Sequence, residues 1–383
     1  MSKKLKMGMV GGGIGAFIGA VHRHAAALDG NIELVCGAFS STAEKAQASG
    51  RALGIDEQRN YTSYQEMFDR EAELPAGERM DFVAIVTPNH MHFPVACAAL
   101  KAGFHVISDK PATLDLNEAK ELEALVAHTG LLFGLTHTYT GYPMVKEARQ
   151  WIADGKLGKI RKVIVEYTQG WLSEKEDDDN KQATWRTDPT KSGASGCMGD
   201  IGSHAGNLAE YICGTSIEQV CAELSIFVPG RMLDDDGIAL IQMGGGIKGI
   251  LHASQVAAGE ENNLTIRVYG EKGGLEWHQQ EPNSLEIKWL DSSKQILRTG
   301  GNHSAIAAAN TRTPMGHPEG YLEAFANIYK NFCQAVLAFQ QGEPSDSQSL
   351  DYPGIAEGVR GMALIEALVE SSRSSDKWYS IKP

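Results

Sequence analysis

Residues 6–30, KMGMVGGGIGAFIGAVHRHAAALDG, constrain the fold of this chain more than any other segment. They begin as an apolar strand, pass through a cluster of glycines and continue with the apolar spacing of a helix. A dinucleotide-binding turn has this form, because its glycines permit a tight turn, close approach of a pyrophosphate and close packing of helix on strand. The segment therefore predicts a doubly wound α/β domain that binds a nucleotide.

The glycines of this turn can be assigned to its three positions. Gly11 and Gly13 take the first two, and Gly19 takes the third because helical spacing follows it. Ala16 is the alternative for the third position, since the fingerprint accepts glycine or alanine there. The pyrophosphate is expected over the residues between Gly11 and Gly19, Ile14 among them, at the positive end of the helix.

The second strand, IELVCGAF, is followed by Ser40, where an NAD-binding domain usually places an acid on the ribose 2′-hydroxyl. A serine hydroxyl can bond to either that hydroxyl or a 2′-phosphate. No arginine follows at 41–43, and the nearest base is Lys45. The sequence therefore predicts NAD, leaves NADP open, and predicts that Ser40, Ser41 and Lys45 contact the adenosine end of the cofactor.

Strands and helices alternate over residues 1–139 and then change their pattern. The nearly all-apolar segment DFVAIVTP is typical of a parallel strand covered on both faces. After residue 139 several strand-like segments follow one another without intervening helices, and two long amphipathic helices close the chain. We therefore predict a Rossmann domain with a doubly wound parallel sheet over 1–139. A second α/β domain with a mostly antiparallel sheet is predicted over 140–383.

Composition excludes several classes of protein. A formal net charge of −13 over 383 residues is opposite to the basic face that a nucleic-acid-binding protein needs. No apolar segment approaches the roughly 20 residues of a membrane span, and the N-terminus lacks the pattern of a signal peptide. The six cysteines form no CxxC pair, which predicts reduced thiols in a cytoplasmic protein without a metal site. The acidic segments SEKEDDDNK and LDDDG are interpreted as solvated turns, because neither has the spacing of a calcium loop.

Three polar segments lie at strand ends or at a helix start, where open α/β sheets place their sites. The segment SDKPATL contains Lys110, and GDIGSHAGNLAEYI contains Asp200 and His204 at i and i+4 on one helix face. These three residue types can supply the base, the cation and the hydrogen bonds that oxidation of a carbinol requires. Lys110 as a solvated loop residue and Asp200 as a helix cap are the structural alternatives. The segment VTPNHMH supplies four predicted cofactor contacts: Thr87, Pro88, Asn89 and His92.

VGGGIGAFIG, VTPNHMH, DKPATL and GDIGSHAGNL together resemble the family of glucose–fructose oxidoreductases, inositol dehydrogenases and rhizopine-catabolism dehydrogenases (Gfo/Idh/MocA). The resemblance covers essentially the whole chain. It implies a second domain with a large open sheet, whose outer face makes dimers or tetramers. It also implies NAD(P)-dependent oxidation of a ring hydroxyl of a sugar or cyclitol. The family's lysine maps onto Lys110, at the cofactor, and its acid/base histidine onto His204, with Lys110 and Asp200 binding substrate hydroxyls.

The chain departs from the family pattern in two places. Asp109 replaces the usual glutamate before the Lys-Pro pair, and the glycine turn is three residues longer. The Lys110–Pro111 bond is often cis in the family, against roughly 5–6% of X–Pro bonds in general. The sequence leaves its isomer here open.

Three further residues are candidates for substrate contact. Arg186 can donate a fork of hydrogen bonds to adjacent hydroxyls, and Trp185 can stack on a sugar face. His317 precedes a long helix and is predicted at the rim of the second-domain pocket. The alternatives are a surface arginine, a core tryptophan and a capping histidine. The residues His137, Tyr139 and Tyr142 are expected to serve in packing.

The sequence thus predicts a homo-oligomeric NAD-dependent dehydrogenase acting on a small polyol or sugar. An inositol, myo or scyllo, is the first candidate substrate, and a sugar or glycoside oxidised at its 3-hydroxyl is the second. Two alternatives come from other classes: a glycosidase that uses bound NAD, and a non-catalytic nucleotide sensor. Net reduction of NAD by a free polyol separates the dehydrogenase from the glycosidase.

Overall fold

The computed structural model describes residues 4–175, 185–344, 346 and 350–382. The chain forms two compact units. The first comprises Met1–Thr136 and Phe325–Val359, and the second comprises His137–Ala324 and Arg360–Pro383. The division predicted at residue 139 therefore places Phe325–Val359 in the second domain, whereas the structure groups that segment with the first unit.

The first unit is built on a five-stranded parallel sheet in the order β2-β1-β3-β4-β5. The predicted doubly wound parallel sheet is confirmed. The strand order reverses between β1 and β3, and ligands of open α/β sheets bind where the strands on either side of such a reversal end. The strands are β1 (Leu5–Gly11), β2 (Ile32–Ala38), β3 (Phe82–Val86), β4 (His105–Ser108) and β5 (Phe133–Leu135). The helices between them are α1 (Phe17–Ala27), α2 (Ala43–Ala52), α3 (Tyr64–Glu73), α4 (His92–Lys101) and α5 (Leu116–Thr129).

The segment Phe325–Val359 packs on the first unit through buried aromatic and backbone contacts. The Phe332 ring lies edge-on to Phe82 of β3, with 5.5 Å between ring centroids. The backbone N–H of Leu135 donates a 2.7 Å hydrogen bond to the carbonyl of Pro353, beside β5. Because β3 is buried along its whole length, these contacts add to a continuous core.

The second unit is built on a nine-stranded sheet in the order β13-β12-β11-β10-β6-β9-β8-β7-β14. All its strand pairs are antiparallel except β6 with β9, so the predicted large, mostly antiparallel sheet is confirmed. Its strands are β6 (Ile160–Thr168), β7 (Ile217–Ser225), β8 (Asp236–Met243), β9 (Lys248–Ser254), β10 (Asn263–Gly270), β11 (Gly273–His278), β12 (Ser284–Trp289), β13 (Gln295–Arg298) and β14 (Tyr379–Ser380). The remaining helices are α6 (Pro143–Ala153), α7 (Pro189–Ser192), α8 (Ser203–Cys213), α9 (Ala305–Ala309), α10 (Tyr321–Gln341) and α11 (Ile355–Arg373).

One face of this large sheet is covered and the other is open. Strand β8 alternates strictly, with Gly237, Ala239 and Ile241 buried. The intervening Ile238 and Leu240 expose 48% and 46% of their surface. An apolar strip therefore lies on the open face of the sheet.

All six cysteines are free, in agreement with the reduced thiols predicted. Among the described residues, no helix combines the length and the apolar character that crossing a membrane requires.

Two buried histidines of the first unit make its stability depend on pH. His22 of α1 is fully buried with Nδ1 2.7 Å from the Tyr329 hydroxyl, and burial lowers its pKa to about 4. Burial also lowers the pKa of His105 in β4 to about 4. Because an unfolded histidine titrates near 6.5, the unfolded chain binds more protons between pH 6.5 and 4. Stability is therefore retained above pH 6.5 and lost progressively toward pH 4.

We expect a His22→Gln variant to lose less stability than the wild type between pH 7 and pH 4.5. Without His22, the loss of unfolding free energy between the two pH values is smaller by up to about 3 kcal/mol. Each unit of pKa difference corresponds to about 1.4 kcal/mol of unfolding free energy. Urea unfolding at the two pH values measures the difference. The control is His128→Gln, at an exposed position of α5. Equal pH dependence in both variants would show that His22 is not the titrating group.

Candidate active site

The glycine turn connects the end of β1 to the start of α1. Gly11 and Gly12 have φ values of +81° and +69°, in the left-handed region that favours glycine. A Cβ on Gly19 would lie 2.4 Å from both the Cα and the carbonyl oxygen of Gly12. Gly19, rather than Ala16, therefore makes the close contact between helix and turn.

The turn is fixed to the end of β2. The N–H of Gly13 donates to the Phe39 carbonyl at 3.1 Å, and the N–H of Ile14 donates to Ser49 Oγ at 3.1 Å. A Cβ on Gly13 would lie 2.6 Å from the backbone carbonyl oxygen of Phe39, a contact that no side-chain rotation relieves, so the turn favours glycine there. Arg23 of α1 donates a 2.6 Å hydrogen bond to the Gly12 carbonyl. These contacts hold the turn in one conformation before any ligand binds.

The turn fits a dinucleotide pyrophosphate on three structural grounds. Its glycines form a cradle that side chains would fill. No side chain caps the N-terminus of α1, which leaves its first N–H groups and the helix dipole for an anion. The buried Thr87 Oγ1, after β3, has no hydrogen-bond partner in the described part of the chain. Ile14 is 67% exposed beside this cradle.

The predicted adenosine contacts lie just beyond β2. Ser40 and Ser41 precede α2, and the Thr42 N–H is 3.5 Å from Ser40 Oγ. Ser41 and Lys45 are exposed. The Phe39 carbonyl accepts a hydrogen bond from Gly13, so the loop after β2 lies beside the glycine turn.

His92 lies between two backbone carbonyls. It is buried, with Nδ1 2.6 Å from the Pro111 carbonyl and Nε2 2.9 Å from the Thr87 carbonyl. Burial lowers the pKa of His92, which favours the neutral ring. A neutral ring donates to one of these two carbonyls, and His92 thus lies between the loops after β3 and β4. Its contact with a cofactor stays a prediction. Pro88 and Asn89 lie in the same loop after β3, with Asn89 buried.

Lys110 follows β4 and is held by its neighbours. One carboxylate oxygen of Asp109 accepts hydrogen bonds from the Lys110 N–H and from Thr136 Oγ1, both at 2.9 Å. The Lys110–Pro111 peptide bond is cis. Asp109, although shorter than the glutamate of the family pattern, thus ties the Lys110 backbone to the end of β5.

In the second unit the structure brings Asp200 together with Arg186. Asp200 lies in a π-helical segment, Met198–Gly202, directly before α8, which carries His204. One oxygen of the Asp200 carboxylate accepts from Arg186 Nε at 3.2 Å and from Gln255 Nε2 at 2.9 Å. The Arg186 guanidinium stacks 4.4 Å from the Trp185 ring. Asp200 is therefore oriented by two donors from distant segments.

The π-helical segment is anchored by a buried carboxylate. Asp234 accepts from the N–H groups of Gly196 at 2.9 Å and Met198 at 2.8 Å. Its neighbour Asp235 accepts from two backbone N–H groups and from Arg231. The interpretation of LDDDG as a solvated turn was therefore wrong, since both carboxylates are buried and satisfied by backbone donors. The segment SEKEDDDNK lies mostly outside the described residues.

His204 is surrounded by aromatic side chains of its own unit. Its Nδ1 lies 3.4 Å from Nδ1 of His137, and the Tyr139 ring is edge-on at 4.9 Å. The Tyr139 and Tyr167 hydroxyls are hydrogen-bonded, and Tyr167 donates to Asn262 at 2.7 Å. Burial raises the pKa of both tyrosines, which keeps them neutral. His204 itself is half-buried.

The sequence of the chain matches known proteins over both units. Residues 5–137 match the oxidoreductase family with an NAD-binding Rossmann fold, and residues 145–276 match the Gfo/Idh/MocA C-terminal domain. The uncharacterized oxidoreductase YfiI of Bacillus subtilis is 33% identical over 100% of this chain and 98% of that protein. This chain belongs to the Gfo/Idh/MocA family of oxidoreductases. Its first unit is an NAD-binding Rossmann domain.

Solved structures of Gfo/Idh/MocA proteins share the fold closely. An oxidoreductase from Sinorhizobium meliloti is 46% identical, with a TM-score of 0.89 over 98% of this chain and 99% of that one. An inositol dehydrogenase homologue from Azotobacter vinelandii, solved with NAD+, is 35% identical, with a TM-score of 0.94 over 99% of this chain and 98% of that chain. An inositol dehydrogenase homologue from Azotobacter vinelandii, 34% identical with a TM-score of 0.91, was solved with NADH and myo-inositol. The levoglucosan dehydrogenase of Pseudarthrobacter phenanthrenivorans is 26% identical over 78% of this chain and 79% of that protein.

The polar residues near Asp200 in this Gfo/Idh/MocA protein line a small open cleft within the second unit. Sequence reasoning identified Arg186 and Asp200 but missed Gln255, whose signal was a polar residue directly after an apolar strand. His317 is exposed, and its Nδ1 faces the Pro314 carbonyl at 3.1 Å. The structure shows no contact of His317 with Asp200 or the cleft. The lining residues are Leu172, Arg186, Thr187, Gly196, Asp200, Arg231, Leu233, Asp234, Asp235 and Gln255.

Proposed function

We propose that this oxidoreductase is an NAD-dependent dehydrogenase that oxidises a ring secondary hydroxyl of a cyclitol or sugar, an inositol being the first candidate. The observation that carries the proposal is the oriented Asp200 carboxylate, held by Arg186 and Gln255 one helical turn before His204. Paired donors and acceptors of this kind recognise the adjacent hydroxyls of a polyol ring. The Azotobacter homologue bound to NADH and myo-inositol supports the same substrate class.

The roles of the side chains follow from their chemistry. His204 takes the proton of the reacting hydroxyl, because a neutral imidazole accepts a proton near neutral pH. The ammonium group of Lys110 stabilises the negative charge that develops on the oxygen. The Asp200 carboxylate accepts a hydrogen bond from a substrate hydroxyl and fixes the ring orientation. Bound NAD would supply the hydride acceptor.

The cofactor is expected to occupy the cradle already described. The N-terminus of α1, with Gly11, Gly13 and Gly19, would hold the pyrophosphate. Thr87 Oγ1 is a hydrogen-bond donor for the nicotinamide half, and Ser40 with Lys45 would meet the adenosine ribose. With no arginine clamp for a 2′-phosphate beside Ser40, NAD is the expected cofactor.

We further propose that the protein is a cytoplasmic homo-oligomer. The open face of the nine-stranded sheet supports self-association, because Ile238 and Leu240 expose an apolar strip there. A dimer or tetramer that covers this strip would remove it from water.

The decisive experiment follows absorbance at 340 nm with purified protein, NAD or NADP, and a panel of polyols. The panel contains myo- and scyllo-inositol, D- and L-glucose, and simple glucosides, and the His204→Asn variant measures background. We expect reduction of NAD with an inositol and little with NADP. Turnover of glucose or glucosides alone would move the substrate class to sugars. Cleavage of a glucoside without net NAD reduction would replace the dehydrogenase with an NAD-dependent glycosidase.

A further inference from the structure

His137 is a buried polar residue that lies against the ring of His204. It is 3% exposed and directly precedes a short 3₁₀ turn, Thr138–Gly141. Its carbonyl accepts hydrogen bonds from the N–H of Thr140 at 3.2 Å and from Thr140 Oγ1 at 3.0 Å. The backbone of His137 is thus fixed, and its ring is placed against α8.

The two imidazoles meet edge to edge through the same type of atom. Nδ1 of His137 and Nδ1 of His204 are 3.4 Å apart, with ring centroids 5.3 Å apart and planes at 85°. Two ring nitrogens at this distance share one proton, because one must donate and the other accept. The bond therefore couples the tautomers of the two rings.

We propose that His137 is a positioning residue whose Nδ1 accepts the Nδ1–H of His204, so that Nε2 of His204 is the atom that takes the substrate proton. This assignment rests on the proposed function. If His137 donated instead, His204 would carry its neutral-state proton on Nε2 and would have no lone pair there for the hydroxyl proton. Acting as a base at Nε2 therefore requires the acceptor role for His137.

The same hydrogen bond stabilises the imidazolium form of His204. The Nδ1–H of a charged ring donates more strongly than that of a neutral ring, and His137 offers it a neutral acceptor. Among the described residues, the titratable groups near His204 include the neutral tyrosines Tyr139 and Tyr167, and Asp200 one turn away. On other elements packed against α8, Lys146 lies by the Tyr211 hydroxyl and His252 pairs with Asp236. Arg360 of α11 pairs with Glu210 of α8 at 2.6 Å.

Two substitutions at His137 separate positioning from packing. His137→Asn keeps an acceptor atom near the place of Nδ1 but loses ring volume. His137→Phe keeps the ring and loses the acceptor. If His137 serves only in packing, the phenylalanine variant should retain more activity than the asparagine variant. If His137 is a positioning residue, the asparagine variant should retain more.

The pH profile of polyol oxidation with NAD is the measurement. For His137→Phe we expect the acid limb of kcat/KM to move about one unit to lower pH, with kcat lowered about tenfold and KM little changed. The acid limb moves down because the imidazolium has lost its acceptor, and kcat falls because the base is weaker. His137→Asn is expected to restore most of the wild-type profile.

Thr140→Val tests whether a less rigid 3₁₀ turn alone would change the pH profile. This substitution removes only the side-chain hydrogen bond to the His137 carbonyl. It is expected to lower thermal stability without moving the acid limb. A His137→Phe profile that matches the wild type would overturn the positioning role, as would a His137→Asn profile as altered as that of Phe. Retained activity in His204→Asn would instead overturn the proposed function.

Discussion

Replacement of Lys110 by methionine is expected to lower kcat by about 10²–10⁴-fold with little change in NAD affinity. Methionine keeps the length and apolar stem of lysine but carries no charge and no donor. The loop has supports besides the ammonium group, because Asp109 holds the Lys110 N–H and His92 faces the Pro111 carbonyl. The substitution therefore removes the group proposed to stabilise the developing alkoxide and preserves its support.

The matched control for this prediction is Lys101→Met, at an exposed position at the end of α4. It makes the same chemical change on the same unit and is expected to retain wild-type kcat and KM. Steady-state kinetics with the best polyol give kcat, and NADH fluorescence titration gives cofactor affinity. A Lys110→Met enzyme with normal kcat would remove Lys110 from the proposed chemistry. Collapse of cofactor affinity alone would assign Lys110 to cofactor binding.

The parts of the site that sequence reasoning predicted are those with local signals. The glycine turn, the loops after β3 and β4, and the i, i+4 pair of Asp200 and His204 are each encoded within about ten residues. The parallel sheet of the first unit was also predicted, since alternation of strands and helices leads to a parallel sheet. Choice of Gly19 over Ala16 rested on helical spacing, and the contact of Gly19 with Gly12 gives it a steric reason.

The residues that sequence reasoning missed come together only through tertiary structure. Gln255 reaches Asp200 from 55 positions away, and Asp234 reaches Met198 from 36 positions away. Nothing in a run of three aspartates distinguishes a solvated turn from carboxylates buried on backbone N–H groups. The placement of Phe325–Val359 in the first unit was missed for the same reason. An amphipathic pattern shows that one helix face is buried but not which core that face packs against.

His92 and His137 show the same limit in the assignment of roles. The sequence placed His92 in a cofactor loop and His137 in packing. In the structure both ring nitrogens of His92 face backbone carbonyl oxygens, and the neutral ring donates to one of them. His137 is the histidine that contacts the proposed base. Residue type and loop position drew attention to both histidines, but only the contacts show which ring lies between two carbonyls and which lies against His204.

Gly19→Ala is expected to have the largest effect on cofactor binding. The added Cβ would lie 2.4 Å from backbone atoms of Gly12, so no side-chain rotation relieves the clash. The turn or the first turn of α1 must move instead, and overpacking of this kind costs about 1–3 kcal/mol. That displacement separates the N–H groups of α1 from the pyrophosphate, and we expect NAD affinity to fall at least about tenfold.

Thermal unfolding with and without saturating NAD measures this effect, because a ligand that binds only the folded protein raises Tm. The wild type is expected to show a clear NAD-dependent increase, and Gly19→Ala a lower Tm with little or no increase. Gly361→Ala is the control: it lies in α11, and an added Cβ there would meet no atom within 4 Å. This variant should keep the NAD-dependent increase in Tm, and its free energy of unfolding should rise by up to about 1 kcal/mol because alanine has a higher helix propensity than glycine. A Gly19→Ala protein that binds NAD normally would show that the turn accommodates a Cβ, and the third glycine position would then belong elsewhere.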